Sequence, residues 1–400
     1  MLYDLSSSYV EGSCCALAKA GYSRDGKKGT LQVNYGLVSD ARGCPVAVSV
    51  FEGNTADCET VLPQVQRLRA EFGVEQMVLV GDRGMISHRA IEEFKRVPGV
   101  AWITAMKSTQ LRVLAEEGGL QLGLFDERNL FEFTHPNYAG ERLVACRNPQ
   151  LARSRAAKRA ELLQATAAEL DKVATMVARG ALVGADKIGV RVGRVVNKYK
   201  VAKHFELTIQ TAHFSYRIDQ RKVEQEAALD GIYVLRTALA PARMPAAQVV
   251  RSYKSLSAVE RAFRSMKTVD LKVRPIHHHL AHRVRAHIFL CMLAYYVEWH
   301  MREAWRALLF ADEDQAAKAT RDPVATAMRS HEAQRKAQTH TLSDGTPAHS
   351  FRTLLDELST IVRNTCRTMA ACAETPTFTI VTQPNAIQQR ALKLLDAIAV

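Results

Sequence analysis

The apolar positions run in short strand-length stretches up to residue 106 and again from residue 231, and the segment between them follows a different rhythm. LYDLSSSYV (2–10) predicts a strand beginning near the start of the sequence given. The polar, glycine-containing GYSRDGKKGT (21–30) predicts a loop. LQVNYGLVSD (31–40) and CPVAVSVFEG (44–53) predict two strands joined by a turn at DARG. Asn54-Thr55-Ala56-Asp57 predicts the cap of a helix running to about Phe72. QMVLVGD (76–82) is a short apolar run ending at Gly81-Asp82, the pattern of a buried parallel-type strand. A helix over Ser87–Lys95 and a strand AWITAM (101–106) follow. Three strands, then helix, strand, helix and strand, describe a mixed sheet covered by helices.

Residues 108–230 read as an insertion or second subdomain. They hold the strand-like pieces ERLVACR, KHFELTI and FSYRID and a charged helix near 150–179. DGIYVLRTAL (230–239) resumes the strand pattern. A helix over Ser252–Lys267 and a long, largely apolar one over 280–310 come next. Residues 318–350 read as a polar linker or loop, and 351–372 and 385–398 as a helical tail. The expected division is therefore 1–107 and 231–310 as two parts of one core, 108–230 as the insertion, and 311–400 as linker and helical C-terminal region. No internal repeat is evident.

Charge sharpens this picture. The net charge is +13, and it is clustered: Arg251–Arg285 holds nine Lys/Arg against two acids, and Lys187–Lys203 holds six and no acid. Such clustering points to a nucleic-acid partner rather than to solubility alone. No run of about 18 apolar residues predicts a membrane span, and the N-terminus lacks the pattern of a secretory signal. The eight cysteines, at 14, 15, 44, 58, 146, 291, 366 and 372, include no CxxC pair. Reduced thiols and a cytoplasmic location are expected.

Three acids stand where acids are unusual. Asp4 interrupts an apolar strand, and Asp82 ends MVLVGD. Glu260 shares a predicted inward helical face with Tyr253, Leu256, Phe263 and Lys267. Each alone has an ordinary explanation: Asp4 as the cap of a turn, Asp82 as a partner of Arg83, Glu260 as a partner of Arg264 or Lys267. Together they call for a shared compensating charge, because a buried unpaired carboxylate costs several kcal/mol. Mg²⁺, a hard cation that takes carboxylate oxygens, suits such a set, and two such ions about 4 Å apart serve in-line phosphoryl transfer. His277–His279 with His282 invites a zinc reading, but no nearby acid or cysteine completes four ligands, so a loop and helix start near DNA is expected there.

Asp4 in YDLSSSYVEG, Asp82 in LVGDRGM and Glu260 in YKSLSAVERAFRSMK resemble the three acids of bacterial DDE transposases. Tyr253, Glu260 and Lys267 match the spacing Y-x2-R-x3-E-x6-K of an insertion-sequence group (insertion-sequence-4-like), with Leu256 at the arginine position. The resemblance covers residues 1 to about 300. It implies an α/β fold: a ribonuclease-H-like mixed sheet flanked by helices, with a β-rich insertion and a helical C-terminal extension. It implies that Asp4, Asp82 and Glu260 hold Mg²⁺, or Mn²⁺ in its place, for cleavage at transposon ends and strand transfer into target DNA. Tyr253 and Lys267 would then meet phosphates, and Arg261, Arg264, Lys272 and Arg274 the DNA backbone. A homodimer on DNA is expected. Members usually carry a long region before the first acid that recognises transposon ends, so the resemblance implies an N-terminally truncated chain with a folded core and no end-specific binding. Two alternatives stay open: a non-catalytic DNA-binding remnant, and another ribonuclease-H-like metal-dependent nuclease.

Overall fold

LYDLSSSY becomes strand β1 (Leu2–Tyr9), and the elements around it follow from its alternation. The computed structural model describes residues 1–400 except 119–124, 270, 315–320, 326–327, 368–376 and 399–400. Two units make up the chain: residues 1–102 with 252–321 and 327–400, and residues 103–251 with 322–326.

In the first unit β1 pairs antiparallel with β2 (Gln32–Ser39), from Leu2↔Ser39 to Tyr9↔Gln32. β2 pairs with β3 (Pro45–Glu52) across the DARG turn. Helix α1 (Val61–Phe72) ends at Gly73 in the left-handed conformation, φ +64°. β4 (Met77–Val80) pairs parallel with β1 through Leu2↔Val80. α2 (His88–Phe94) is capped by the Ser87 hydroxyl, which accepts the Ala90 N–H at 3.3 Å. β5 (Val100–Ala105) completes the order β3-β2-β1-β4-β5. Alternate residues of β1 face opposite ways. Tyr3 and Leu5 join Val38, Ala47, Phe94 and Trp102 and the α1 residues Val61, Val65 and Leu68 in the core. Each fully buried valine, leucine or phenylalanine among them contributes about 1.5–3 kcal/mol. Asp4, Ser6 and Ser8 take the other face.

In the second unit the last three residues of β5 pair antiparallel with β10, in the order β5-β10-β7-β6. Its elements are α3 (Ser108–Glu116), β6 (Leu130–Phe133), β7 (Arg142–Arg147), α4 (Pro149–Ala178), α5 (Ala185–Tyr199), β8 (Phe205–Ile209), β9 (Phe214–Ile218), α6 (Gln220–Ala227) and β10 (Ile232–Thr237). α7 (Ala246–Lys254) begins here and ends in the first unit. The expectation of a β-rich insertion is corrected: α4 has 30 residues and α5 has 15, whereas β6 to β9 have four to six each. Leu163, Leu170 and Val177 of α4 and Ile188, Val192 and Val196 of α5 recur at helical spacing and bury one another. That periodicity outweighs the strand-like pieces.

The chain returns to the first unit as α8 (Leu256–Arg264) and α9 (Ala281–Ala304), separated by a π-helical turn over Ser265–Val269. The single helix expected over Ser252–Lys267 is therefore broken twice, after Lys254 and at Ser265. The Ser265 hydroxyl donates to the buried Glu298 carboxylate, 3.0 and 3.1 Å from its two oxygens, which fixes the second break. Where a linker was expected, α10 (His331–Thr339) forms, capped by Ser330. Its Lys336 is buried and donates to the Ala307 and Leu309 carbonyls, both at 3.3 Å. The helix expected over 351–372 stops as α11 (Phe351–Leu358). β11 (Arg363–Arg367) then pairs with β12 (Thr377–Val381), where β-branched and aromatic residues favour a hairpin, and 368–372 lie outside the described residues. α12 (Ala386–Asp396) falls within the helix expected over 385–398. Among the described residues no helix is long and apolar enough to cross a membrane. Seven cysteines are free thiols, and Cys372 lies outside the described residues.

Candidate active site

Asp4 lies on the face of β1 that α8 covers. Tyr35, beside Ser6 in the β1–β2 register, meets Phe263 of α8 edge-on, with ring centroids 5.7 Å apart. Ser8 and Tyr35 share a hydrogen bond of 2.9 Å on the same face. Asp82 follows β4, the parallel neighbour of β1. Since Val80 pairs with Leu2, Asp82 follows that pair by two residues along the chain, as Asp4 does in β1. Strands neighbour one another at about 4.8 Å, so the two acids arrive side by side.

The electrostatics record this proximity. The half-buried Asp4 carboxyl is pushed up to about 6, first by burial, then by the charges of Glu260 and Asp82; the Leu5 N–H, donated to it at 2.8 Å, and Arg24 oppose the rise. Tyr253, in the last turn of α7, has its hydroxyl pushed up to about 12 by burial and by Asp82 and Glu260, with Arg83 opposing. The three acids and Tyr253 therefore share one electrostatic neighbourhood.

Glu260 corrects one expectation. It is exposed, and the buried face of α8 is made by Val259, Ala262 and Phe263. Its charge still reaches Asp4, whose proton affinity it raises. Asp82 is also exposed, and its carboxylate accepts the Arg83 N–H at 2.6 Å. Neither Glu260 nor Asp82 has an ion-pair partner among the described residues, so the pairing of Glu260 with Arg264 or Lys267 is not seen.

Lys267 and Arg274 do not face outward as phosphate contacts. Both pair with Oδ1 of Asp25, whose side chain is 0% exposed; the Lys267 ammonium is 3.0 Å away. Asp25 also accepts the Tyr9 N–H at 3.2 Å. Burial holds the Lys267 ammonium below its ordinary range, with Asp25 opposing. The π-turn offsets Lys267 from the α8 face that carries Glu260, which removes the expected alignment. Arg261 and Arg264 are exposed on α8, and Lys272 is exposed at a left-handed φ of 48°. Asp25 reads as a turn residue in the sequence, and Arg24, ion-paired to Asp57, carries no local signal either. Lys267 lies 242 residues from Asp25, and no spacing rule spans that distance.

Among the described residues no three His, Cys, Asp or Glu side chains lie close enough together to hold a metal ion as they stand, the histidines at 277–282 included. The chemistry of the donor set fits a hard divalent cation all the same. It offers three carboxylates, two of them exposed without ion pairs and one whose proton affinity is raised by burial and by the other two.

Asp4 makes stability depend on pH. A folded pKa of about 6 against an ordinary 3.8 means that the folded state holds this proton more tightly. The contribution is present in full below pH 3.8 and is lost as pH rises through about 6. Asp4→Asn is therefore expected to gain on the wild-type protein between those values, by on the order of 2 kcal/mol after allowance for partial exposure. Urea midpoints of both proteins across this range measure the difference, and parallel curves would contradict the assignment.

Residues 4–297 match a family model described as the transposase DDE domain, a match that begins at Asp4 and spans Asp82 and Glu260. No curated protein matches the chain.

Proposed function

Since the chain belongs to the transposase DDE-domain family, whose members act on DNA with divalent metals, we propose that Asp4, Asp82 and Glu260 are its catalytic acids. The reaction is hydrolysis at transposon ends followed by strand transfer. Water adds to the scissile phosphorus and the P–O3′ bond breaks, leaving a free 3′ hydroxyl. That hydroxyl then attacks a phosphodiester of the target and displaces its 3′ oxygen, with no covalent protein–DNA intermediate. When bound, Mg²⁺ or Mn²⁺ supplies Lewis-acid activation of the attacking oxygen and charge stabilisation of the leaving one. The remaining work falls to side chains. Asp4 is deprotonated above about pH 6 and is then available as a ligand. Tyr253 keeps its proton at neutral pH and donates a hydrogen bond to a phosphate beside the acids. Arg261, Arg264 and Lys272 position the DNA backbone without reading sequence. Asp25 holds Lys267 and Arg274 in place behind them.

The raised proton affinity of Asp4, caused in part by Glu260 and Asp82, carries this reading. The spacing of Tyr253, Glu260 and Lys267 supports the insertion-sequence group with the Tyr–Arg–Glu–Lys signature, with Leu256 departing from it. The mixed sheet with α8 across β1 supports a ribonuclease-H-like core interrupted by residues 108–230. A homodimer holding two ends is the acting species under this reading. The test incubates the protein with supercoiled plasmid and a labelled duplex bearing a free 3′ hydroxyl, with Mg²⁺ or Mn²⁺. Label joined covalently to plasmid is the expected result. Nicking without joining would indicate a nuclease on this fold, and binding without either would indicate a non-catalytic remnant.

A further inference from the structure

A groove of about 420 Å³ opens beside α8, along Ala258, Arg261 and Arg264, within the first unit. Five arginines line it: Arg261 and Arg264 from α8, Arg302 from the last turn of α9, Arg306 from the turn that follows it, and Arg42 from the β2–β3 turn. They face two glutamates of the lining, Glu298 and Glu303, so the groove carries excess positive charge. Arg302 is held by the buried Glu298 at 2.6 Å, and Arg306 pairs with Glu303. The guanidinium groups of Arg261 and Arg264 have no ion-pair or hydrogen-bond partner among the described residues; the Arg264 carbonyl accepts the Thr268 hydroxyl. The Arg42 guanidinium lies over the Trp299 ring, 5.0 Å from its centroid, and is steadied by Asp40 at 2.9 Å.

The turn is built to reach α8. Gly43 has a φ of +89°, and a Cβ there would come within 2.6 Å of the Ala258 Cβ. Only glycine lets the tip of the hairpin approach the helix this closely. A guanidinium carried on such a tip, backed by an aromatic face and a carboxylate, is preorganised rather than solvated at random. Guanidinium forks fit phosphate oxygens, and unpaired ones beside a phosphoryl-transfer site suit a chain of phosphodiesters.

We propose that this groove is a phosphate-binding track that carries the DNA backbone away from the catalytic acids, with Arg42 of the β2–β3 turn as its outer contact. The proposal rests on the transposase reading for its ligand, though not on catalysis. Each neutralised phosphate contributes about −0.9 to the slope of log affinity against log salt on duplex DNA. Arg42 is 71% exposed in its side chain, so its replacement leaves the fold intact. Binding of a fluorescent random-sequence duplex is measured across salt for the wild-type protein, Arg42→Glu and Arg42→Lys. Expected are a slope shallower by about one and several-fold weaker binding for Arg42→Glu, with Arg42→Lys keeping the wild-type slope. An unchanged slope in Arg42→Glu overturns the proposal. So does a groove that binds a free mononucleotide, lost in Arg42→Glu, while the duplex slope stays the same. Metal-dependent nicking is followed separately: its absence with the slope change intact would overturn the catalytic reading and leave the track standing.

Discussion

Asp82→Asn is expected to abolish metal-dependent cleavage while leaving the protein as stable as before. Asparagine keeps the shape and removes one charge of the proposed donor set. Loss of several kcal/mol of transition-state charge stabilisation corresponds to a fall of about a thousandfold or more in rate. Asp82 is exposed and forms no ion pair among the described residues, and an asparagine oxygen can still accept the Arg83 N–H, so the replacement leaves the fold in place. Glu260→Gln is expected to behave alike, for the same reasons. Asp4→Asn should lose the same activity but gain stability at neutral pH, because it removes a half-buried charge. Single-turnover cleavage and urea midpoints, measured on all three variants, separate the two effects. Cleavage surviving in any of them at near wild-type rate would remove that acid from the mechanism.

The largest loss of stability is expected at Asp25 rather than at any of the three proposed catalytic acids. Its carboxylate is fully buried and compensates both Lys267 and Arg274 while accepting the Tyr9 N–H. Asp25→Ala would leave two positive charges, Lys267 only 8% exposed, with no partner. Breaking a buried pair in this way costs about 3–5 kcal/mol. Lys267→Met in the Asp25→Ala background removes one of the stranded charges and should recover part of the loss. A double-mutant cycle on urea midpoints reads that coupling directly. Additive losses would show that Lys267 and Asp25 do not depend on each other.

The strands and helices before residue 106 are readable in the sequence because each is local. Period-2 alternation, a cap at Ser87 and glycine at the turns leave few alternatives for β1 to β5. Asp4 and Asp82 are visible for a related reason: an acid inside or at the end of an apolar run breaks a pattern. What the sequence hides is set by distance. Ser265 binds Glu298, 33 residues on, and the π-turn this fixes changes where Lys267 points. Asp25 sits in a loop whose composition marks a turn, and only the folded chain brings Lys267 and Arg274 to it. A projection of 252–267 as one unbroken helix turns Glu260 inward. The breaks at Ser255 and Ser265 shorten α8, and Val259, Ala262 and Phe263 define its buried face. The charged helix expected near 150–179 forms as α4, whereas the basic and polar compositions of 185–199 and 331–339 mask their helical periodicity, and the pairing of β11 with β12 has no short-range signal.

The claim that three carboxylates share a divalent metal is tested most directly by anomalous diffraction from crystals of the protein with DNA and Mn²⁺. The expected result is one or more Mn²⁺ peaks with oxygen atoms of Asp4, Asp82 and Glu260 at about 2.2 Å. Mn²⁺ bound elsewhere, with these three side chains facing water, would contradict the account.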